Sequence, residues 1–180
     1  MKKWIIGASA LALLLVGVAV VLQNRKKPDT DHIDGGVRHY EDADAPKVIQ
    51  STDITSFHCE FSTTDISEED SPIAGRILTL HAEGDSGYLK QFTQPENCSF
   101  CPDGAFYEQL QQIVAGYDFA RFNGQYYTVS GLPPYIGMKL EIRYASGEVI
   151  CASNNQSCFL PLEAMEALTA LFEQYALGGI

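Results

Sequence analysis

"MKLEIRYASGEVICASNN", residues 138–155, decides the architecture. Leu140, Ile142 and Tyr144 alternate with Glu141 and Arg143. A period of two puts one set of side chains on each face of an extended strand. Ala145, Ser146 and Gly147 supply a turn, and Val149 and Cys151 continue a return strand. A lone hairpin is not stable in water, so this one needs further strands and a covering layer.

Working outward, "ITSFHCEFST" (54–63) repeats the alternation, with Phe57, Cys59 and Phe61 inward against His58 and Glu60. "GRILTLHAEGDSGYLKQFT" (75–93) reads as a second hairpin around a Glu-Gly-Asp-Ser-Gly turn. Two segments change period. Phe106, Leu110, Ile113, Val114 and Tyr117 recur at helical spacing, with Asp103 as N-cap, Pro102 in the first turn and Asn123-Gly124 as the stop. Met165, Leu168, Phe172 and Tyr175 do the same over 162–177. The order predicts an α+β fold: an antiparallel sheet built from hairpins, two helices packed on one face, and a single domain over 47–180.

Upstream the character changes. After a tail of three residues, Trp4 to Leu22 is a run without charge, Ser9 being its one strongly polar side chain. As a helix it covers ~28 Å at ~1.5 Å per residue, close to a bilayer's hydrocarbon thickness. Lys2 and Lys3 precede it and Arg25, Lys26 and Lys27 follow. A cleaved signal would have a shorter apolar stretch and a clearer small-x-small site than Gly17 and Ala19 offer. Residues 4–22 are therefore expected to form a retained transmembrane signal-anchor of a single-pass cell-membrane protein. A short charged start stays inside, which puts the carboxy-terminal domain on the extracytoplasmic side. Residues 23–46 read as a basic stop followed by a flexible acidic linker, because "PDTDHIDGGVRHYEDADAP" has little apolar surface to bury.

All 23 acidic residues lie at or beyond Asp29, with seven of the 12 basic ones, so residues 28–180 carry 7 − 23 = −16. Such a surface repels phosphate backbones, which excludes nucleic-acid binding.

Five cysteines remain: Cys59, Cys98, Cys101, Cys151 and Cys158. In an exported domain, small structural disulfides Cys98–Cys101 and Cys151–Cys158 are the expectation, with Cys59 a buried apolar thiol. "NCSFCPDG" (97–104) also allows a thiol–disulfide redox pair ahead of a helix. A thioredoxin-like site wants a buried parallel strand before the motif, whereas "YLKQFTQPEN" is polar and ends in a turn. Zinc would have to combine that pair with Cys151 and Cys158, whose spacing is wide for a half-site, or with His58 or His81, which read as surface residues. No metal or cofactor is expected, and no residue is singled out as catalytic. "GLPPYIG" (131–137) with its neighbours gives a candidate contact patch of Tyr126, Tyr127, Leu132, Pro133, Pro134 and Tyr135. Asn97 and Asn155 match the N-glycosylation pattern. The reading favours a membrane-anchored, non-catalytic binding or interaction domain for an unidentified protein or small molecule. A tethered redox protein using Cys98 and Cys101 is the alternative.

Overall fold

The hairpin of 138–155 sits in the middle of the sheet. The computed structural model describes residues 30–67, 71–94, 96–132 and 137–178. Their elements, in chain order, are β1 (Thr30–Asp34), β2 (Val37–Glu41), β3 (Ile54–Ser62), β4 (Ile77–Glu83), β5 (Ser86–Gln91) and β6 (Cys98–Phe100). Then come α1 (Gly104–Gly116), a single 3-10 turn (Phe119–Phe122), β7 (Gln125–Val129), β8 (Met138–Tyr144), β9 (Val149–Asn154) and α2 (Leu162–Leu177). The strands make one sheet, in the order β1-β2-β7-β9-β8-β3-β4-β5-β6, among the described residues. Every pairing is antiparallel except β7 with β9. The fold is therefore α+β, a mostly antiparallel sheet with two helices. Residues 4–22 lie outside the described residues, and no described helix is long and apolar enough to cross a membrane.

Register follows from turn chemistry. Gly147 takes φ +86°, the Gly147 amide donates to the Tyr144 carbonyl at 2.9 Å, and the Tyr144 amide donates to the Glu148 carbonyl at 3.0 Å. That turn sets Ile142 opposite Ile150 and Leu140 opposite Ala152. Ile150 and Ala152 thus share the inward face with Leu140 and Ile142, and Val149 and Cys151 turn to the other face. Phe57, Cys59 and Phe61 on β3 point inward as their alternation requires.

The inward face meets both helices in one core. Phe106 of α1 and Phe172 of α2 are fully buried, with ring centroids 5.2 Å apart and nearly perpendicular planes. Phe57 and Phe100 close on Phe172 at 5.7 and 5.6 Å. Each such ring contributes roughly 1.5–3 kcal/mol by burial alone. Asp103 is the N-cap of α1, its carboxylate accepting from the Phe106 amide at 2.8 Å. Pro102 precedes that cap, so it lies outside the helix rather than in its first turn. The helix also ends earlier than Asn123-Gly124. Asp118 adopts φ +51°, its amide caps the Ala115 carbonyl, and the 3-10 turn then drives Phe119 into the core. Leu162–Leu177 forms the last helix over the range its periodicity marks.

The largest departure is at 30–41. Read from sequence as part of a flexible linker, this stretch forms the β1–β2 hairpin, in register with β7 from Val37–Val129 to Glu41–Gln125. Gly35 and Gly36 both have positive φ, which suits a two-residue turn that follows strand twist. The hairpin needs no core of its own because β7 offers it a strand edge. Burial was the wrong criterion here.

The parallel seam between β7 and β9 is short: Tyr126 pairs with Ser153 and Tyr127 with Asn154. Two asparagines extend it. At one end the buried Asn123 amide donates to the carbonyls of Val149 and Pro46, both at 2.9 Å, and its oxygen accepts from the Cys151 amide at 2.8 Å. At the other, Asn155 accepts from the Val129 amide at 2.7 Å and donates to the Val129 carbonyl at 2.9 Å. Each side chain imitates the hydrogen-bonding of a strand residue.

Candidate functional site

The sheet face opposite the helices carries the polar half of every alternation. Its side chains line up in rows because residues paired in a sheet share a face. One row runs Tyr126, Ser153, Lys139, Glu60, Thr79, Lys90 across β7, β9, β8, β3, β4 and β5. The next runs Cys151, Glu141, His58, His81, Tyr88, Ser99.

The first row, from Ser153 to Lys90, floors a cleft of about 460 Å³. Lys90, Lys139, Glu60, Thr79, Thr128 and Ser153 supply its polar groups, and Ile77, Phe92, Leu132 and Met138 its apolar ones. Phe92 is a large apolar side chain left 62% exposed. A concave site of this size with an apolar lining and a few polar groups is the usual form of a small-ligand site.

The basic side chains are unevenly employed. Arg38 pairs with Asp31, Lys47 with Glu41, Arg76 with Glu173 and Arg143 with Glu141, while the Arg121 guanidinium lies 4.5 Å over the Phe122 ring. Lys90 and Lys139 have no ion-pair or hydrogen-bond partner among the described residues, and both line the cleft. Glu60, between them in the row, is drawn the other way, its carboxylate 3.1 Å from His58 Nε2.

In the second row the His58 and His81 rings meet edge to face at 5.7 Å, and His81 lies 5.0 Å from the Tyr88 ring. His81 Nδ1 is sealed from solvent without a hydrogen-bond partner. Burial and the neighbouring His58 hold the His81 pKa below its ordinary value, against a weaker upward pull from Glu83. These histidines face outward on their strands, as their positions suggest, but they are partly buried against one another.

The cysteines are dispersed. Cys98 sits on the edge strand β6 opposite Leu89, and Cys101 is exposed between β6 and the N-cap of α1. Neither occupies the first turn of a helix, where the dipole would favour a thiolate. Cys101 lines a shallow recess of about 590 Å³ with Ser99, Phe100, Gln174 and Tyr175, and no charged side chain among the described residues lines it. Cys151 lies on the open face beside Tyr126, whose hydroxyl is pushed up by burial and then by that thiol. Cys158 lies on the core side, its thiol donating to the Ser62 carbonyl at 3.1 Å and pushed up to about 11 by burial. Cys59 is completely buried, and burial raises its pKa strongly, with Cys158 nearby adding to the rise.

All five are free thiols in this structure, so the expected Cys98–Cys101 and Cys151–Cys158 bridges are not formed. For the second pair the reason is geometric, since its members lie on opposite faces of the sheet. Among the described residues no group of three or more His, Cys, Asp or Glu side chains is placed to hold a metal ion.

Of the patch read from sequence, Tyr127 and Leu132 come to the cleft wall. Tyr126 stacks on Tyr40 at 5.7 Å, and Tyr127 sits 6.0 Å from His39. Pro133, Pro134 and Tyr135 lie outside the described residues. Asn155, one of the two residues in the glycosylation pattern, donates one side-chain N–H to the Val129 carbonyl. Sequence reading missed Lys90 and Lys139. The signal was present in the alternation, which places both on the polar face, but their convergence needs the strand order β8-β3-β4-β5.

Comparison with family models, with curated proteins and with solved structures finds no match to this chain.

Proposed function

We propose that the chain is a membrane-anchored, extracytoplasmic binding domain, and that its ligand is taken at the cleft on the open face of the sheet. The anchor rests on the uncharged run of residues 4–22 and its basic flanks. The binding role rests on one observation above the others: a concave site gathers Lys90, Lys139, Ser153 and Thr79 beside Phe92 and Ile77 on the sheet face opposite the helices. The site is built on strands of one sheet, which fixes the geometry of its polar groups better than a loop would.

The test is a fragment screen on the folded domain read by amide chemical shifts. Hits should move the resonances of Thr79, Lys139 and Ser153 as a group. Shifts gathered instead around Cys98 and Cys101 would overturn the assignment.

The thiol–disulfide alternative has its own support in the exposure of Cys101 beside a recess. Replacing Cys98 and Cys101 by serine should leave fragment binding at the cleft unchanged. Loss of that binding in a folded variant would favour the redox reading.

A further inference from the structure

Resting on that binding role, we infer that the cleft selects a small amphipathic anion, a carboxylate carrying an apolar chain or ring. Residues 28–180 balance to −16, so an unpaired cation on this domain is scarce. Every other basic side chain of the described residues already has a carboxylate or a ring to satisfy it. The two left over, Lys90 and Lys139, project from the same face into the same cleft. Three strand steps separate them, about 14 Å at ~4.8 Å per step, which two extended lysine side chains can span between them.

Glu60 stands between the lysines but turns to His58, leaving a formal excess of one positive charge in the row. A single carboxylate matches that excess; a dianion exceeds it and a cation would meet it as repulsion. Ser153 and Thr79, adjacent to the lysines in register, add hydroxyl donors. Ile77, Phe92 and Leu132 line the cleft wall and give the apolar part of the ligand a surface to lie on. The surrounding −16 does not undo the selectivity, because at physiological salt a charge is felt over only ~8 Å and within the cleft the two lysines outnumber the one carboxylate, Glu60.

Octanoate, octan-1-ol and octylammonium share a chain and differ in the charge of the head, so they separate charge selection from apolar binding. Each is titrated into the full-length chain while amide shifts of Thr79, Lys139 and Ser153 are followed. Octanoate should bind roughly tenfold or more tighter than the alcohol, the size of one charge-assisted hydrogen bond. Lys90→Met and Lys139→Met keep the aliphatic stem, and together they should bring octanoate down to the level of the alcohol. Equal affinity for octanoate and octan-1-ol would overturn the anion inference and leave the cleft as a binding site. A preference for octylammonium would overturn it in the same way, with Glu60 the dominant charge. No shift at the cleft with any of the three would overturn both this inference and the assignment of the cleft.

Discussion

Two regions of one sheet are held together by different physics. From β9 through β8, β3, β4 and β5 to β6, the strands lay their inward side chains on two helices and contribute the buried rings and aliphatics of the core. From β1 through β2 to β7 no side chain reaches that core. This three-stranded wing keeps its place through backbone ladders, the Tyr40–Tyr126 stack, exposed ion pairs such as Arg38–Asp31, and the amides of Asn123 and Asn155. Exposed ion pairs contribute little, so the asparagines matter most at the seam. Hydrophobic burial builds a region that sequence patterns announce. Hydrogen bonding to an open edge builds one that they do not.

The sharpest way to break the helix-backed half is Phe106→Ala. The ring is fully buried and touches Phe100, Tyr107, Phe172 and Tyr175. A loss of about 3–5 kcal/mol is expected in urea denaturation, shared by the whole sheet. Asn123→Ala attacks the seam instead. It strips partners from the Val149 and Pro46 carbonyls and from the Cys151 amide. About 2–3 kcal/mol is expected, with amide exchange accelerating in β2 and β7 far more than in β3 and β8.

The opposite edge sharpens the contrast. Gly87 lies under the Phe100 ring, and a Cβ there would fall 2.6 Å from Phe100 Cζ. Gly87→Ala should therefore displace β6 at a cost of about 1–3 kcal/mol by overpacking, an effect with no counterpart at the wing's edge. Phe100→Leu in the same chain should recover part of the loss.

The smallest effect is a pH dependence. His81 faces His58, Tyr88, Glu83 and the Glu60 and Glu141 side of the open face. Its folded pKa lies below 6.5, so the unfolded chain binds the proton more readily. The stability it contributes is complete above 6.5 and is lost as pH falls through that value toward the folded one. Urea midpoints at pH 7.5 and 5.0 should show a decline that His81→Phe makes shallower.

Much of the first region was legible. The alternations of 54–61 and 140–144, the N-cap at Asp103 and the span 162–177 each rest on local chemistry that the final packing agrees with. The phase of Ile150 and Ala152 depended on how the turn at Gly147 closes, which alternation alone does not specify. The wing was hidden because "TDHIDGGVRHYED" is mostly polar, with only Ile33, Val37 and Tyr40 to mark it, and draws its order from β7, a partner more than 80 residues away in the chain. The candidate site was legible by residue but not by assembly. Tyr127 and Leu132 stood out as apolar and exposed, while Lys90 and Lys139 looked like ordinary outward residues until the strand order set them across one cleft.

Native-state hydrogen exchange, residue by residue, tests most directly the claim that burial holds one region and hydrogen bonds the other. The account predicts two classes of amide: those of β3 and β8 opening only with global unfolding, and those of β2 and β7 opening together at a clearly lower free energy. A single opening free energy across both regions would contradict it.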